Sequence, residues 1–294
     1  MSYHNGTQPS RTQPSRTQPS RTQPGPTQAG RTQPTLAGTS HLLAMLGVAV
    51  LLTGCAQVSM PNWSSWMASR PDYAALIAAT DRDEADRVID LRRKQPQMLA
   101  FTDVRPGMRV LDMGAGGGYT TELLARAVGK SGQVLAHNTP EMNPRGRERI
   151  TERLKKPLMQ SVQAVFRPYD DPLPEGVSRL DLITFFFAYH DVTFMKVDRE
   201  QMNRRLFEAL KPGGMLIIAD HSARPGEGDS VARTLHRIEE SFVRKELEQA
   251  GFRLLEQGQF LRNPNDLRDE NVNRSKTPAD EFVLKFVRPK KPDA

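Results

Sequence analysis

A run of apolar residues that ends in a glycine-rich turn constrains the fold of this chain more than any other feature. The run reads Val-Leu-Asp-Met-Gly-Ala-Gly-Gly-Gly-Tyr, in which Gly114, Gly116 and Gly118 alternate after Asp112. Glycine allows the backbone to turn sharply and allows a ligand to approach where a Cβ would collide. The dinucleotide pattern G-x-G-x-x-G is excluded because Tyr119 occupies its last position. The pattern therefore predicts a ligand-binding loop at the carboxyl edge of a sheet, or a tight turn that binds nothing.

The remainder of the chain alternates short apolar runs with amphipathic ones. Strands are predicted at 109–113, 132–137, 161–166, 182–187, 215–219, 252–260 and 281–287. Helices are predicted at 120–128, 145–154, 197–210 and, in two pieces, 231–250, with one or two more in an entry segment at 71–99. Such alternation predicts an α/β fold with a doubly wound, mostly parallel sheet, closed by an antiparallel pair.

Two basic segments are interpreted as solvated surface. Arg92-Arg93-Lys94-Gln95 favours a charged helix end, and the arginines and lysines of 145–156 alternate with Glu148 and Glu152 at helical spacing. An anionic-ligand site is the alternative for the second segment.

The pattern D-x-G-x-G-x-G resembles motif I of the class I S-adenosylmethionine (SAM) dependent methyltransferases. The ending, Leu-Glu-Gln-Ala-Gly-Phe at 247–252 before the sixth strand, is also similar to that family, and the resemblance covers about 98–288. It implies a Rossmann-like sheet of seven strands with a helical extension before it. In that family the extension covers the cofactor or helps to shape the substrate pocket, and Arg92-Arg93-Lys94-Gln95 could contribute to this as the alternative to a surface role. In that fold Asp112 would hold the turn and, directly or through water, the amino group of SAM. The three glycines would pass beneath the methionyl and ribose parts.

The resemblance implies further cofactor contacts at the ends of the second and third strands. The family has an acidic residue for the ribose hydroxyls where this chain has Asn138, which can donate and accept hydrogen bonds but carries no charge. Glu141 is near enough to substitute for it. Asp170 or Asp171 would meet the adenine amino group, unless they belong to a surface turn.

Titratable residues follow the fourth and fifth predicted strands, where this fold carries out its chemistry. We expect His190 to be the base that removes a proton from the acceptor, oriented by Asp191 or Asp220, with His221 as the second choice. His236 could line the same cleft. A structural polar cluster is the alternative. Asp191, Asp220 and His221 could converge on a metal, but their spacing matches no ligand set, so no metal site is predicted.

The amino-terminal part differs in composition. Residues 1–40 repeat Arg-Thr-Gln-Pro and predict disorder. Residues 41–55 form a short apolar run that ends in Leu-Thr-Gly-Cys and resembles a signal peptide with a bacterial lipobox, in which Cys55 would be lipidated. Residues 56–70 are a predicted linker before a domain at 71–290. These features predict a lipid-anchored, periplasm-facing protein, with the outer membrane favoured by Ala56. A product that starts at Met60 would instead be cytoplasmic.

The net charge of the chain argues against a nucleic-acid partner. The net charge of +7 includes four arginines that precede Cys55, so the part that follows carries about 7 − 4 = +3, which does not favour nucleic-acid binding. The whole pattern is similar to a small family of bacterial methyltransferases, often with export signals, whose substrate is not defined. It predicts methyl transfer to a small molecule by in-line displacement. A lipid-anchored, non-catalytic ligand-binding module on the same fold is the alternative, and the oligomeric state stays open.

Overall fold

A computed structural model describes residues 70–290 of the chain. The predictions for the repeat tail at 1–40, for the signal segment with Cys55 and for nearly all of the 56–70 linker lie outside this range. Within 70–290, no helix has both the length and the apolar character needed to cross a membrane.

Seven strands form a single sheet at the centre of the described part. Their order is β3-β2-β1-β4-β5-β7-β6, and β7 runs antiparallel to its neighbours β5 and β6, while the other pairs are parallel. The bounds are β1 Arg109–Met113, β2 Gln133–Asn138, β3 Val162–Phe166, β4 Leu180–Phe186, β5 Leu210–His221, β6 Arg253–Gly258 and β7 Glu281–Val287. The predicted doubly wound, mostly parallel sheet of seven strands is thus confirmed.

Helices cover both faces of this sheet. They are α1 Tyr73–Ala78, α2 Glu84–Arg92, α3 Gln95–Thr102, α4 Tyr119–Val128, α5 Pro144–Leu154, α6 Tyr189–Val192, α7 Arg199–Ala209, α8 Ala232–Leu235 and α9 Glu240–Gln249, with a 3₁₀ turn at Pro157–Ser161. The two pieces predicted for 231–250 are present as α8 and α9.

The entry segment contains three helices rather than one or two. Lys94 adopts the left-handed conformation (φ 45°) directly before α3, and this breaks the chain direction between α2 and α3. The periodicity of apolar residues does not reveal such a break. On α2 it also indicates the wrong face, because Val88 and Leu91 are exposed whereas Asp86 and Asp90 are buried.

The core lies in two layers, one on each face of the sheet. Leu111 and Ile183 point into one layer and Val110 and Leu182 into the other, and all four are fully buried. Burial on both faces is typical of central parallel strands. The carboxyl ends of β1, β2, β4 and β5 therefore form an edge at which polar side chains gather.

Candidate functional site

The glycine turn after β1 adopts a backbone that side chains would disfavour. Gly114, Gly116 and Gly118 have φ angles of 68°, 55° and 83°. A Cβ at Gly114 would lie 3.1 Å from the hydroxyl of Tyr169, and a Cβ at Gly118 would lie 2.5 Å from Cδ1 of Ile150. At Gly116 no atom of the described chain lies within 4 Å of that position, so this glycine borders open space.

Asp112 anchors the turn from the end of β1. Its side chain is buried and accepts hydrogen bonds from the hydroxyls of Thr121 (2.6 Å) and Thr184 (2.9 Å). Burial raises the pKa of Asp112 to about 6, although the two threonine hydroxyls act in the opposite direction. The carboxylate joins β1, β4 and α4, as the predicted turn-holding role requires.

Asn138 supports the same turn from the end of β2. Its Oδ1 accepts a hydrogen bond from the Gly116 amide (2.8 Å), and its Nδ2 donates to the Gly116 carbonyl (3.1 Å). The side chain is thereby fixed to the loop, and the predicted hydrogen bond to a ribose hydroxyl would have to use its second Nδ2 hydrogen or the remaining lone pair of Oδ1. Glu141, exposed just beyond Asn138, lines the adjoining cavity.

We call this cavity, which has a volume of about 590 Å³, the glycine cavity. The turn forms its floor, and Asn138, Glu141, Tyr169, Phe187 and Asp191 are among its walls. Helix α2 contributes Asp86 and Ile89, so the helical extension forms part of the cavity wall.

Asp170 and Asp171 do not line the glycine cavity. Asp171 forms ion pairs with Arg167 and Arg205, and these lower the pKa of the carboxyl although partial burial opposes them. The carboxylate of Asp170 accepts a hydrogen bond from the Asp198 amide (3.4 Å). Their neighbour Tyr169 is the residue of this segment that reaches the cavity.

Arg93 lines the site, which agrees with the alternative role for residues 92–95 rather than with the favoured charged helix end at the surface. Its guanidinium lies 4.5 Å from the ring centre of Phe187 and 5.3 Å from that of Tyr119, and the side chain lines the glycine cavity. Its Nε is buried and has no hydrogen-bond partner among residues 70–290. Burial, together with the charge of Arg92, lowers the pKa of Arg93 to about 10, so it remains a cation at neutral pH.

A second inward-facing cation holds the extension in place. Arg153 is buried, contrary to the solvated face predicted for 145–156. It donates to Asp86 on α2 (2.7 Å), to Glu122 on α4 (2.5 Å) and to the Gly117 carbonyl (3.1 Å). Arg153 therefore faces inward, where it neutralises two buried carboxylates. Only the outer side of α5 is solvated.

The predicted catalytic residues converge at the ends of β4 and β5. His190 is buried, and its Nδ1 lies 2.7 Å from Oδ1 of Asp220. The backbone amides of His190 and His221 each donate to Asp220, both at 2.8 Å. Burial acts to lower the pKa of His190, but the Asp220 and Asp191 carboxylates outweigh it and raise that pKa to about 10.

These residues border a second cavity of about 1050 Å³, which we call the histidine cavity. It is lined by His190, His221 and His236, and by four cationic side chains: Arg92, Lys94, Arg262 and Lys276. Two of the four already form ion pairs, Arg92 with Glu281 and Arg262 with Glu240 and Asp280. Glu281 Oε1 lies 3.0 Å from Nδ1 of His221, yet the angle does not suit a hydrogen bond, and within the described chain this nitrogen has no partner.

The two cavities meet at Phe187 and Asp191, which line both. Phe187 has a φ angle of 57°, which is rare for a bulky side chain and costs backbone energy. Its amide donates to the Ala219 carbonyl (2.7 Å), and its ring contacts Arg93 and His221. Strain of this kind concentrates at functional sites.

The glycine cavity fits SAM in its chemistry. A positive-φ glycine opens onto empty space, an anionic Asp112 faces the site, and the unpaired Nε of Arg93 offers a donor. These groups suit the ammonium and carboxylate of an amino-acid moiety.

Comparisons with known proteins agree with this assignment. The sequence profile of the protein-L-isoaspartate(D-aspartate) O-methyltransferase (PCMT) family matches residues 88–252. The chain is 34% identical over 129 residues to the ubiquinone/menaquinone biosynthesis C-methyltransferase UbiE of Ectopseudomonas mendocina, covering 44% of this chain and 47% of that protein. The match thus spans about half the length of this curated relative.

Two solved structures share the fold. An arsenic(III) SAM methyltransferase from Chlamydomonas reinhardtii has a TM-score of 0.50 at 17% identity and covers 76% of this chain and 75% of its own. A putative sarcosine dimethylglycine methyltransferase from Galdieria sulphuraria has a TM-score of 0.50 at 14% identity, with 70% and 99% covered. Since the PCMT profile matches more than half of the chain, the chain belongs to the protein-L-isoaspartate(D-aspartate) O-methyltransferase family of SAM-dependent methyltransferases.

Proposed function

We propose that this protein transfers the methyl group of SAM, bound in the glycine cavity, to a small-molecule acceptor bound in the histidine cavity. The observation that carries the proposal is the junction at Phe187 and Asp191, which belongs to both cavities. In-line displacement requires the methyl carbon and the acceptor atom to approach within about 3–3.5 Å. Adjoining cavities with a shared wall support the proposal, because such an approach needs the two ligands side by side.

The residues of the glycine cavity suit the parts of the cofactor. Asp112 would attract the ammonium group of SAM, Arg93 would donate to its carboxylate, and the amides around Gly116 would approach it closely. Glu141 would accept from the ribose hydroxyls. Bound there, SAM supplies an electrophilic methyl group on a sulfonium centre.

The histidine cavity suits an acceptor that reacts as an anion. Its lining includes Arg92, Lys94, Arg262 and Lys276, and His190 with a pKa of about 10 is an imidazolium at neutral pH. These positive charges would favour the anionic form of a phenol, enol or carboxylic acid over its protonated form, and the anion is the form that reacts as a nucleophile. The base role predicted for His190 would need its unprotonated form, whose fraction grows as pH rises.

The names of the relatives bear on the choice of acceptor. UbiE is named for carbon methylation in quinone biosynthesis, whereas the PCMT family name specifies O-methylation of isoaspartate in proteins, so the two names point to different acceptors. The volume of the histidine cavity, about 1050 Å³, lies at the upper end of the range for small-molecule sites. We therefore favour a phenolic or enolic small molecule over a protein acceptor.

Calorimetric titration of SAM and of S-adenosylhomocysteine into the full-length chain tests the cofactor site, with Asp112→Ala as the comparison. We expect micromolar binding that the substitution abolishes. Transfer of tritium from methyl-labelled SAM to a panel of phenols, quinols and carboxylic acids then identifies the acceptor class. A folded chain that binds neither cofactor form would refute the proposal and leave the ligand-binding module.

We also propose that the chain is attached to the bacterial envelope through Cys55. The proposal is supported by the apolar run that ends in Leu-Thr-Gly-Cys. Metabolic labelling with radioactive palmitate should mark the protein and should fail to mark Cys55→Ser. Equal labelling of both, or labelling of neither, would refute lipidation at this residue.

A further inference from the structure

Three potential metal ligands from two chain segments meet at the junction of the cavities. His190 Nε2 lies 3.2 Å from Oδ1 of Asp191, His236 Nδ1 lies 3.5 Å from the same oxygen, and the two histidine nitrogens are 3.3 Å apart. Each residue offers one ligand atom, and the three atoms lie close enough to one another to hold a single ion. The three atoms form a nearly equilateral triangle.

The size of the triangle identifies a coordination geometry. Zinc lies about 2.0–2.1 Å from histidine nitrogen, and the edges of a regular tetrahedron are about 1.6 times that distance, or roughly 3.3–3.4 Å. An octahedral magnesium site at about 2.0–2.1 Å would need edges of roughly 2.9 Å and prefers oxygen ligands. We propose that His190, Asp191 and His236 bind one Zn²⁺ ion as three corners of a tetrahedron, with the fourth corner open to the histidine cavity.

The surroundings of His190 match those of a metal-ligating histidine. Such a residue donates its other ring nitrogen to a carboxylate or carbonyl, which fixes the tautomer and the direction of the lone pair. Here Nδ1 of His190 is held by Asp220 Oδ1 at 2.7 Å, and the carboxylate is fully buried. Nε2 is thereby directed at Asp191 and His236.

His236 is held in position by an unusual backbone. It ends α8 in the left-handed conformation (φ 53°, ψ 48°), which places its ring edge-on to that of His190 with centroids 5.4 Å apart. This conformation costs free energy for a histidine. A ligand role would explain why this strained conformation is retained, because a relaxed backbone would place the ring elsewhere.

The described chain contains another group of three potential metal ligands, which differs from the first in its surroundings. Asp83, Asp86 and Glu122 also bring three ligand atoms together, but Arg153 and Lys156 already pair with them. The positive charges of Arg153 and Lys156 thus occupy the place that a metal ion would take beside these carboxylates. Among the described residues no lysine or arginine forms an ion pair with Asp191, and its partners within ion-pair distance are the two histidines of the triangle.

The role of the ion rests on the proposed methyl transfer. A phenol or enol oxygen of the acceptor would become the fourth ligand, and its proton would pass to solvent water. Its electron pair, on oxygen or on the conjugated carbon, would then form the new bond to the methyl carbon as the sulfur–methyl bond breaks, leaving S-adenosylhomocysteine.

Metal binding to the chelator-treated, full-length chain tests the site without any acceptor. We expect one Zn²⁺ per chain by calorimetry, and an intense visible absorption when Co²⁺ replaces it in a four-coordinate site. Asp191→Asn and His236→Asn should each weaken binding at least about 100-fold; asparagine tolerates the left-handed backbone of residue 236. Asp220→Asn should weaken it about 10- to 100-fold through His190.

His221→Gln is the matched control, since His221 borders the same cavity but directs no atom at the triangle. Its affinity for Zn²⁺ should match that of the unsubstituted chain, and circular dichroism should verify that every variant is folded. Zn²⁺ binding that survives both Asp191→Asn and His236→Asn, or a folded chain without Zn²⁺ binding, would overturn the site. SAM binding without Zn²⁺ binding would leave the proposed function standing, and the reverse would remove the function but not the site.

Discussion

The glycine cavity and the histidine cavity share a wall but are built in different ways. The first depends on backbone: three positive-φ glycines and an asparagine that bonds to one of them. The second depends on side chains from segments far apart in the chain, ordered around the carboxylate of Asp220. The residues of the glycine turn are contiguous in the sequence, so they can be recognised there. The side chains of the histidine cavity come together only after the strands have paired. This difference predicts that separate substitutions will change the stability of the fold, the affinity for SAM and the rate of methyl transfer.

The largest effect should follow from Arg153→Met, which removes the charge shared by Asp86 and Glu122. We expect the free energy of unfolding to fall by about 3 kcal/mol, because two buried carboxylates lose a partner. Helix α2 would then no longer be held at the wall of the glycine cavity. Chemical denaturation measures the loss, and Arg145→Met on the exposed side of the same helix should cost less than about 0.5 kcal/mol. Equal losses in the two variants would contradict the assigned role of Arg153.

Alanine at two glycines of one turn should act on different properties. Gly118→Ala should destabilise the fold by about 2 kcal/mol, since its Cβ would lie 2.5 Å from Cδ1 of the buried Ile150. Gly116→Ala should cost only about 1 kcal/mol but weaken SAM binding about 10-fold or more, because its Cβ points into open space. Thermal denaturation and calorimetry separate the two effects. A cofactor affinity unaffected by Gly116→Ala would show that SAM does not pass this residue.

The affinity for SAM should depend on pH through Asp112. Its pKa of about 6 means that the carboxylate is protonated as pH falls below that value, and the attraction for the ammonium group is lost. We expect affinity to be constant above pH 7 and to fall by up to about 10-fold per pH unit well below 6. Calorimetry of Asp112→Asn should give weaker binding without this slope. A slope retained in the variant would assign the titration to another group.

The smallest effect should be that of His190→Gln on cofactor binding. His190 lines the histidine cavity and not the glycine cavity, so the affinity for SAM should change less than about threefold, as expected for a residue without contact. Methyl transfer to the acceptor, once identified, should be lost. Loss of SAM binding in a folded His190→Gln chain would show that the two cavities are one site.

The fold could be predicted closely because its signals are local. β1 and β7 begin and end at the predicted residues, and the glycine turn lies where expected. For Arg93 the favoured prediction of a charged helix end at the surface was wrong, and the alternative of a role at the pocket agrees with its position. Its burial arises when α2 folds over the turn and the guanidinium stacks on Phe187, and nothing near Arg93 in sequence indicates either contact.

The same limit applies to the polar clusters. The triangle of His190, Asp191 and His236 depends on one left-handed residue 45 positions away from Asp191, so spacing alone suggested no ligand set. Asp171 resembled a cofactor contact in sequence, but Arg167 and Arg205 neutralise it outside the cavity. Ion pairs of this kind form between side chains whose proximity only the assembled sheet determines.

Asp220 accepts from two amides and one imidazole, so one buried carboxylate sets the position of two adjacent histidines. The two histidines are therefore mechanically coupled although they lie on different segments of the chain. Any change that moves the Asp220 carboxylate would displace residues 190 and 221 together, and the histidine cavity would change shape as a unit.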